Sequence, residues 1–157
     1  MGKSTFVYVT YIRSTREKVW AALTQPEFTR QYWSGTAQTS DWKKGSPWGI
    51  HTPDGRLFDS GEILQSDYPA KLALTWRKER TAETFAEMHA EGFSTLTYEL
   101  EDTPLGVKLT LTHEIGVENS KLIGATSQGW PAVLASLKSL LETGAALAGS
   151  DKWPEGM

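Results

Sequence analysis

The sequence predicts an α+β fold in which a curved antiparallel β-sheet wraps around a long C-terminal α-helix, with two short helices after the first strand. Three observations carry this. Tyr11 to Trp33 joins a strand, a capped amphipathic helix and a second short helix with almost no spacer. A run of period-two segments separated by turn residues follows. Trp130, Val133, Leu134, Leu137, Leu140 and Leu141 then form one apolar stripe at spacings of three and four.

Each element has its own justification. Phe6 to Arg13 alternates aromatic and β-branched residues, which suits a half-buried strand. Ser14 or Thr15 supplies the cap of a helix carrying Glu17 and Lys18 in its first turn and Val19, Trp20 and Leu23 on one side. Thr24-Gln25-Pro26 ends it, because a residue preceding proline avoids the helical region, and Pro26 opens a second helix bearing Phe28, Tyr32 and Trp33. Lys44-Gly45-Ser46-Pro47 reads as a turn between two short strands within Asp41 to Thr52, and Pro53-Asp54-Gly55 as the next turn. Leu57 to Gln65 is a strand in which Gly61 marks a bulge or a close backbone approach.

Leu72, Leu74 and Trp76 give the next strand one apolar face. Lys78 to Gly92 breaks the pattern, with Glu79, Glu83, Glu87 and Glu91 four apart. It reads as a short helix or a mobile loop in which Phe85 and Met88 would cap a pocket. Leu96, Tyr98 and Leu100, then Val107, Leu109 and Leu111, alternate with polar residues. They form a hairpin turning through Asp102-Thr103-Pro104, and His113 continues the inward register. Pro131 is best tolerated in a first turn, which places the start of the main helix near Gly129 and its stop at Gly144.

At 157 residues the chain suits one domain, read as residues 1–148, followed by a frayed tail over 149–157. A net charge of −3 with scattered Lys and Arg offers no footprint for nucleic acid, and the lack of a long apolar run argues against membrane insertion. Without cysteine there is neither a disulfide nor a thiolate nucleophile, which fits a cytoplasmic protein. His51, His89 and Glu91 lack metal-ligand spacing, so no metal is expected. No cofactor motif or catalytic elbow is present, and no catalytic residue is assigned.

The alternation turns Trp76, Tyr98, Leu109, Leu111 and His113 toward the face that Trp130, Leu134 and Leu137 cover. An inward His113 could orient a ligand or move a proton, or it could simply be satisfied by a backbone carbonyl; the second reading is favoured. Glu62 would be a buried base if inward and a solvated carboxylate if outward, and the outward reading is preferred.

Several motifs resemble the activator of heat-shock-protein-90 ATPase homologue family, within the START-like or SRPBCC superfamily that also holds the birch pollen allergen fold, lipid-transfer domains and polyketide cyclases. They are Tyr11-Ile12-Arg13, Glu17 to Thr24, Pro26-Glu27-Phe28, Tyr32-Trp33, Gly61 with Pro69 and Leu72, and Gly129-Trp130 through Leu137 to Gly144. The resemblance implies a START-like helix-grip fold with an apolar cavity between sheet and C-terminal helix, used by relatives for lipids, hormones or polyketides. It places Phe28, Tyr32 and Trp33 at the cavity mouth. With the inward-facing residues these form the candidate ligand-binding set, for a small hydrophobic or amphipathic partner bound by a monomer or homodimer. A cyclase- or hydrolase-type enzyme using the same pocket is the alternative. A chaperone-associated role comes last, because relatives with that activity carry an additional N-terminal domain.

Overall fold

The computed structural model describes residues 2–79 and 85–154. Its strands are β1 (Ser4–Ile12), β2 (Ala37–Ser40), β3 (Pro47–His51), β4 (Leu57–Asp67), β5 (Lys71–Lys78), β6 (Ser94–Thr103) and β7 (Gly106–Ile115). The helices are α1 (Arg16–Thr24), α2 (Pro26–Tyr32), α3 (Ala86–Ala90) and α4 (Lys121–Thr143). All strands pair antiparallel in the order β1-β7-β6-β5-β4-β3-β2, and the curved sheet grips α4 in a helix-grip fold.

Strand β1 shows the expected alternation, with Val7, Val9 and Tyr11 exposed between partly buried neighbours. Thr15 caps α1 by accepting a hydrogen bond from the Lys18 amide, and Pro26 occupies the first turn of α2. The close approach expected at Gly61 is real: a Cβ there would lie 1.8 Å from the Thr75 carbonyl oxygen, so no larger residue fits against β5. Gly144 ends α4 in the left-handed conformation at φ 85°.

Two boundaries differ from the sequence reading. Strand β2 already begins at Ala37, inside a polar stretch whose pairing with β3 residue types alone do not announce. Helix α4 starts eight residues before Gly129, so Pro131 lies inside it. Its start is secured by Ser120, whose Oγ accepts from the Ile123 amide, and by Glu91 from the segment before β6. The Glu91 carboxylate accepts from the Ser120 hydroxyl and Lys121 amide, each at 2.6 Å, and from the Leu122 amide at 3.3 Å. A carboxylate at this position satisfies free amides and complements the helix dipole.

Between the sheet and α4, Leu72, Leu74, Leu96, Leu109, Leu111, Leu134 and Leu137 are at most 1% exposed and close-packed. The interior is therefore filled along much of α4, and among the described residues a cavity opens where side chains of β3, β4 and β5 face Thr126 to Val133 of α4.

Candidate functional site

Four tryptophans gather in that region. Trp33 follows the last turn of α2, Trp48 lies on β3, Trp76 points inward from β5, and Trp130 belongs to the buried stripe of α4. Ring centroids are 6.1 Å apart for Trp33 and Trp76, 5.3 Å for Trp33 and Trp130, 5.4 Å for Trp76 and Trp130, and 5.1 Å for Trp48 and Trp76. Trp33, Trp76 and Trp130 border a cavity of about 180 Å³, completed by Ile50, Phe58, Val133, Trp153 and Pro154. Its polar lining comes from Ser34, Thr36, Asp59, Lys78 and Thr126, and Gly129 sits at its edge.

Asp59 stands in regular register with Gly61 and Ile63, and a break in strand register next to it sets the position of Phe58. Ile50 pairs with Asp59 and His51 with Leu57, so Phe58 is the extra residue of a bulge. Consecutive Phe58 and Asp59 are both buried as a result, which regular alternation forbids. Asp59 then faces Lys78, its cross-strand partner on β5, with Oδ1 3.2 Å from Nζ and the two side chains only 3% and 11% exposed. The ammonium lies 4.3 Å from the Phe58 ring centroid and 5.6 Å from that of Phe85, an arrangement that favours a cation by its attraction to the ring faces. Burial raises the pKa of Asp59 above the usual carboxylate value, while Lys78 and the Trp76 indole oppose that rise.

His113 is fully buried beside this cluster but does not line the cavity. Its Nδ1 accepts the indole N–H of Trp130 at 3.1 Å, which requires Nδ1 to be unprotonated. Nε2–H then donates to Ser94 Oγ at 2.8 Å, and Ser94 passes its own hydrogen to the Trp76 carbonyl at 2.8 Å. Burial, reinforced by the Lys78 charge, lowers the His113 pKa to about 3. The imidazole is a neutral, satisfied bridge between β7, β6 and α4.

The structure distributes the other sequence candidates as follows. Phe28 packs at the margin of the core, and Tyr32 is buried with its hydroxyl donating to the Ala22 carbonyl at 2.8 Å. Tyr98 is buried, and its hydroxyl has no hydrogen-bond partner among the described residues. Leu109, Leu111, Leu134 and Leu137 fill the interior away from the cavity. Glu62 is exposed, the outward arrangement preferred for it. Thr39 Oγ1 lies 3.1 Å from His51 Nε2, and His89 Nδ1–H donates to the Lys78 carbonyl at 2.6 Å. Among the described residues no three His, Cys, Asp or Glu side chains cluster as metal ligands. Phe85 packs edge-on against Phe58 at 5.2 Å, whereas Met88 packs with Ile115, Leu122 and Ile123; Glu83 lies outside the described residues.

Sequence reasoning missed Asp59, Lys78, Phe58 and Trp153. Of the expected tail, residues 149–154 return to the body, and 155–157 lie outside the described residues. The Ser34 amide donates to the Ser150 carbonyl at 2.6 Å, Ser150 Oγ contacts Ser136 Oγ at 2.7 Å, and Trp153 meets Phe58 edge-on at 4.9 Å. A tryptophan in an otherwise polar terminus was the available signal.

A family model described as Activator of Hsp90 ATPase homolog 1-like protein matches residues 13–142. Among solved structures, protein MLL2253 of Mesorhizobium loti is similar at 24% identity with a TM-score of 0.72, covering 88% of this chain and 97% of that one. Protein ChR145 of Cytophaga hutchinsonii is 27% identical at a TM-score of 0.70, with 90% and 95% covered. The Aha1 dimer of Colwellia psychrerythraea is 18% identical at 0.68, with 90% and 98% covered. Among curated proteins none matches significantly.

Proposed function

Given that the chain belongs to the Activator of Hsp90 ATPase homolog 1-like family, we propose that it binds a small, mainly apolar molecule in the cavity between Trp33, Trp76, Trp130 and Trp153. The observation carrying this reading is the cavity itself, with mainly apolar walls that include four tryptophans and a phenylalanine, and an ion pair at one side. Its volume of about 180 Å³ falls below the roughly 300–1,000 Å³ of sites for drug-sized ligands, so a compact ring compound suits it better than a long-chain lipid. No observation favours the cyclase or hydrolase alternative through Glu62 or His113, since one is exposed and the other is held in a closed hydrogen-bond chain.

Native mass spectrometry of protein purified from its own cells tests this reading, together with binding of small aromatic probes followed by NMR. Gly129→Leu is the matched control. A Cβ at Gly129 meets nothing within 4 Å, so there is room for a side chain to start from the cavity lining, where leucine is expected to obstruct the cavity while improving helix propensity. An adduct or probe bound by the natural chain and lost in Gly129→Leu supports the cavity. No adduct and no probe binding, or binding indifferent to the substitution, refutes it.

A further inference from the structure

The geometry points to a net-neutral aromatic molecule bearing a hydroxyl or carbonyl oxygen as the ligand class, with that oxygen placed against Lys78 and Asp59. This rests on the proposed binding cavity and concerns only what its polar side selects. Lys78 and Asp59 both line the cavity, lie 3.2 Å apart, and are the only charged side chains in its wall among the described residues. An ammonium has three hydrogens; among the described residues its neighbours are one carboxylate and the faces of Phe58 and Phe85, so capacity for an acceptor remains. Asp59 Oδ1 makes no hydrogen bond of good geometry despite its burial, so the carboxylate retains capacity for a donor. A ligand hydroxyl could accept from Lys78 and donate to Asp59; a carbonyl would use Lys78 alone.

Charge balance sets the neutrality. The carboxylate already compensates the ammonium, so an anionic ligand would bring a second negative charge beside Asp59, and a cationic one a second positive charge beside Lys78. In a desolvated pocket either excess is costly. The aromatic remainder of the ligand meets Trp33, Trp76 and Trp130.

The test compares naphthalene, 2-naphthol and 2-naphthoate by NMR titration, read at the tryptophan indole N–H resonances. The same titrations are run on Asp59→Asn/Lys78→Met, a double variant that removes both charges and so strands neither. 2-Naphthol is expected to bind the natural chain about tenfold more tightly than naphthalene, a difference of about 1.4 kcal/mol, and 2-naphthoate more weakly than 2-naphthol. In the double variant the naphthol preference falls to within about threefold, about 0.7 kcal/mol, while naphthalene still binds. Equal binding of naphthol and naphthalene, tighter binding of naphthoate, or a preference that survives in the double variant overturns the inference and leaves the cavity reading standing. Failure of all three probes on the natural chain overturns both.

Discussion

The indole of Trp130 donates its Nε1–H to Nδ1 of His113 at 3.1 Å, joining α4 to β7 through two buried side chains. Because that nitrogen must accept, the second ring nitrogen carries the hydrogen and gives it to Ser94, which passes its own to a backbone carbonyl. Each step fixes the next. The chain of donors runs in one direction from helix to sheet and leaves no place for an additional proton on the imidazole. A histidine so held positions Trp130 at the cavity wall.

His113 should therefore remain neutral in the native protein far below the ordinary histidine range, and its burial should make folding sensitive to acid. The sign follows from its pKa, lowered from 6.5 to about 3. Between these values the unfolded chain binds a proton that the native chain does not, so the stabilisation is fully present above about pH 6.5 and is lost as pH falls toward 3. At pH 5 this alone removes about 2 kcal/mol. Long-range nitrogen–proton NMR should show the Nε2–H tautomer unchanged from pH 8 to pH 5, with denaturant midpoints dropping over the same range. A titration of native His113 near pH 6 would contradict the arrangement.

Glu91 should matter to α4 although it is distant from it in sequence. Its carboxylate serves the Ser120 hydroxyl and two amides of the first turn. Glu91→Ala is expected to cost about 1–2 kcal/mol, the range of a lost cap combined with a lost charge at a helix N-terminus. Hydrogen exchange should accelerate at Lys121 and Leu122 and stay unchanged near Leu137. Uniform exchange behaviour across α4 would show that the carboxylate contributes nothing specific.

The β-meander, the paired short helices and the gripping helix were legible because alternation, caps and turn residues act over a few neighbours. The inward set Trp76, Tyr98, Leu109 and Leu111 followed directly from period two. What stayed hidden depends on tertiary events. Asp59 keeps period two with the buried Ile63 and was therefore readable as an inward position, but nothing in Leu57 to Gln65 marks the bulge that buries Phe58 beside it. The start of α4 was misplaced because Pro131 is a strong local signal, while the Glu91 carboxylate that secures the true start comes from 30 residues upstream. Trp153 became a cavity wall because the terminus folds back, with Ser150 held to α4 through Ser136 and to Ser34 and the indole packed against Phe58.

Tyr98 offers a test in the opposite direction, since removing a polar atom should help. Its ring packs edge-on toward Trp130 at 6.5 Å, but the hydroxyl is buried without a partner among the described residues, and burial raises its pKa well above the ordinary tyrosine value. A buried hydroxyl that has given up water and gained no hydrogen bond carries a penalty of about 1–3 kcal/mol. Tyr98→Phe keeps the ring contact and discards the penalty, so denaturant unfolding should show a gain of about 1 kcal/mol, the low end because loss of the oxygen leaves a small void. The same variant separates a ligand-contacting hydroxyl from a merely buried one. Tyr98 does not line the cavity, so probe affinity should be unchanged. A loss of stability together with weakened binding would mean that the hydroxyl has a partner in the working protein, reached through a bound molecule.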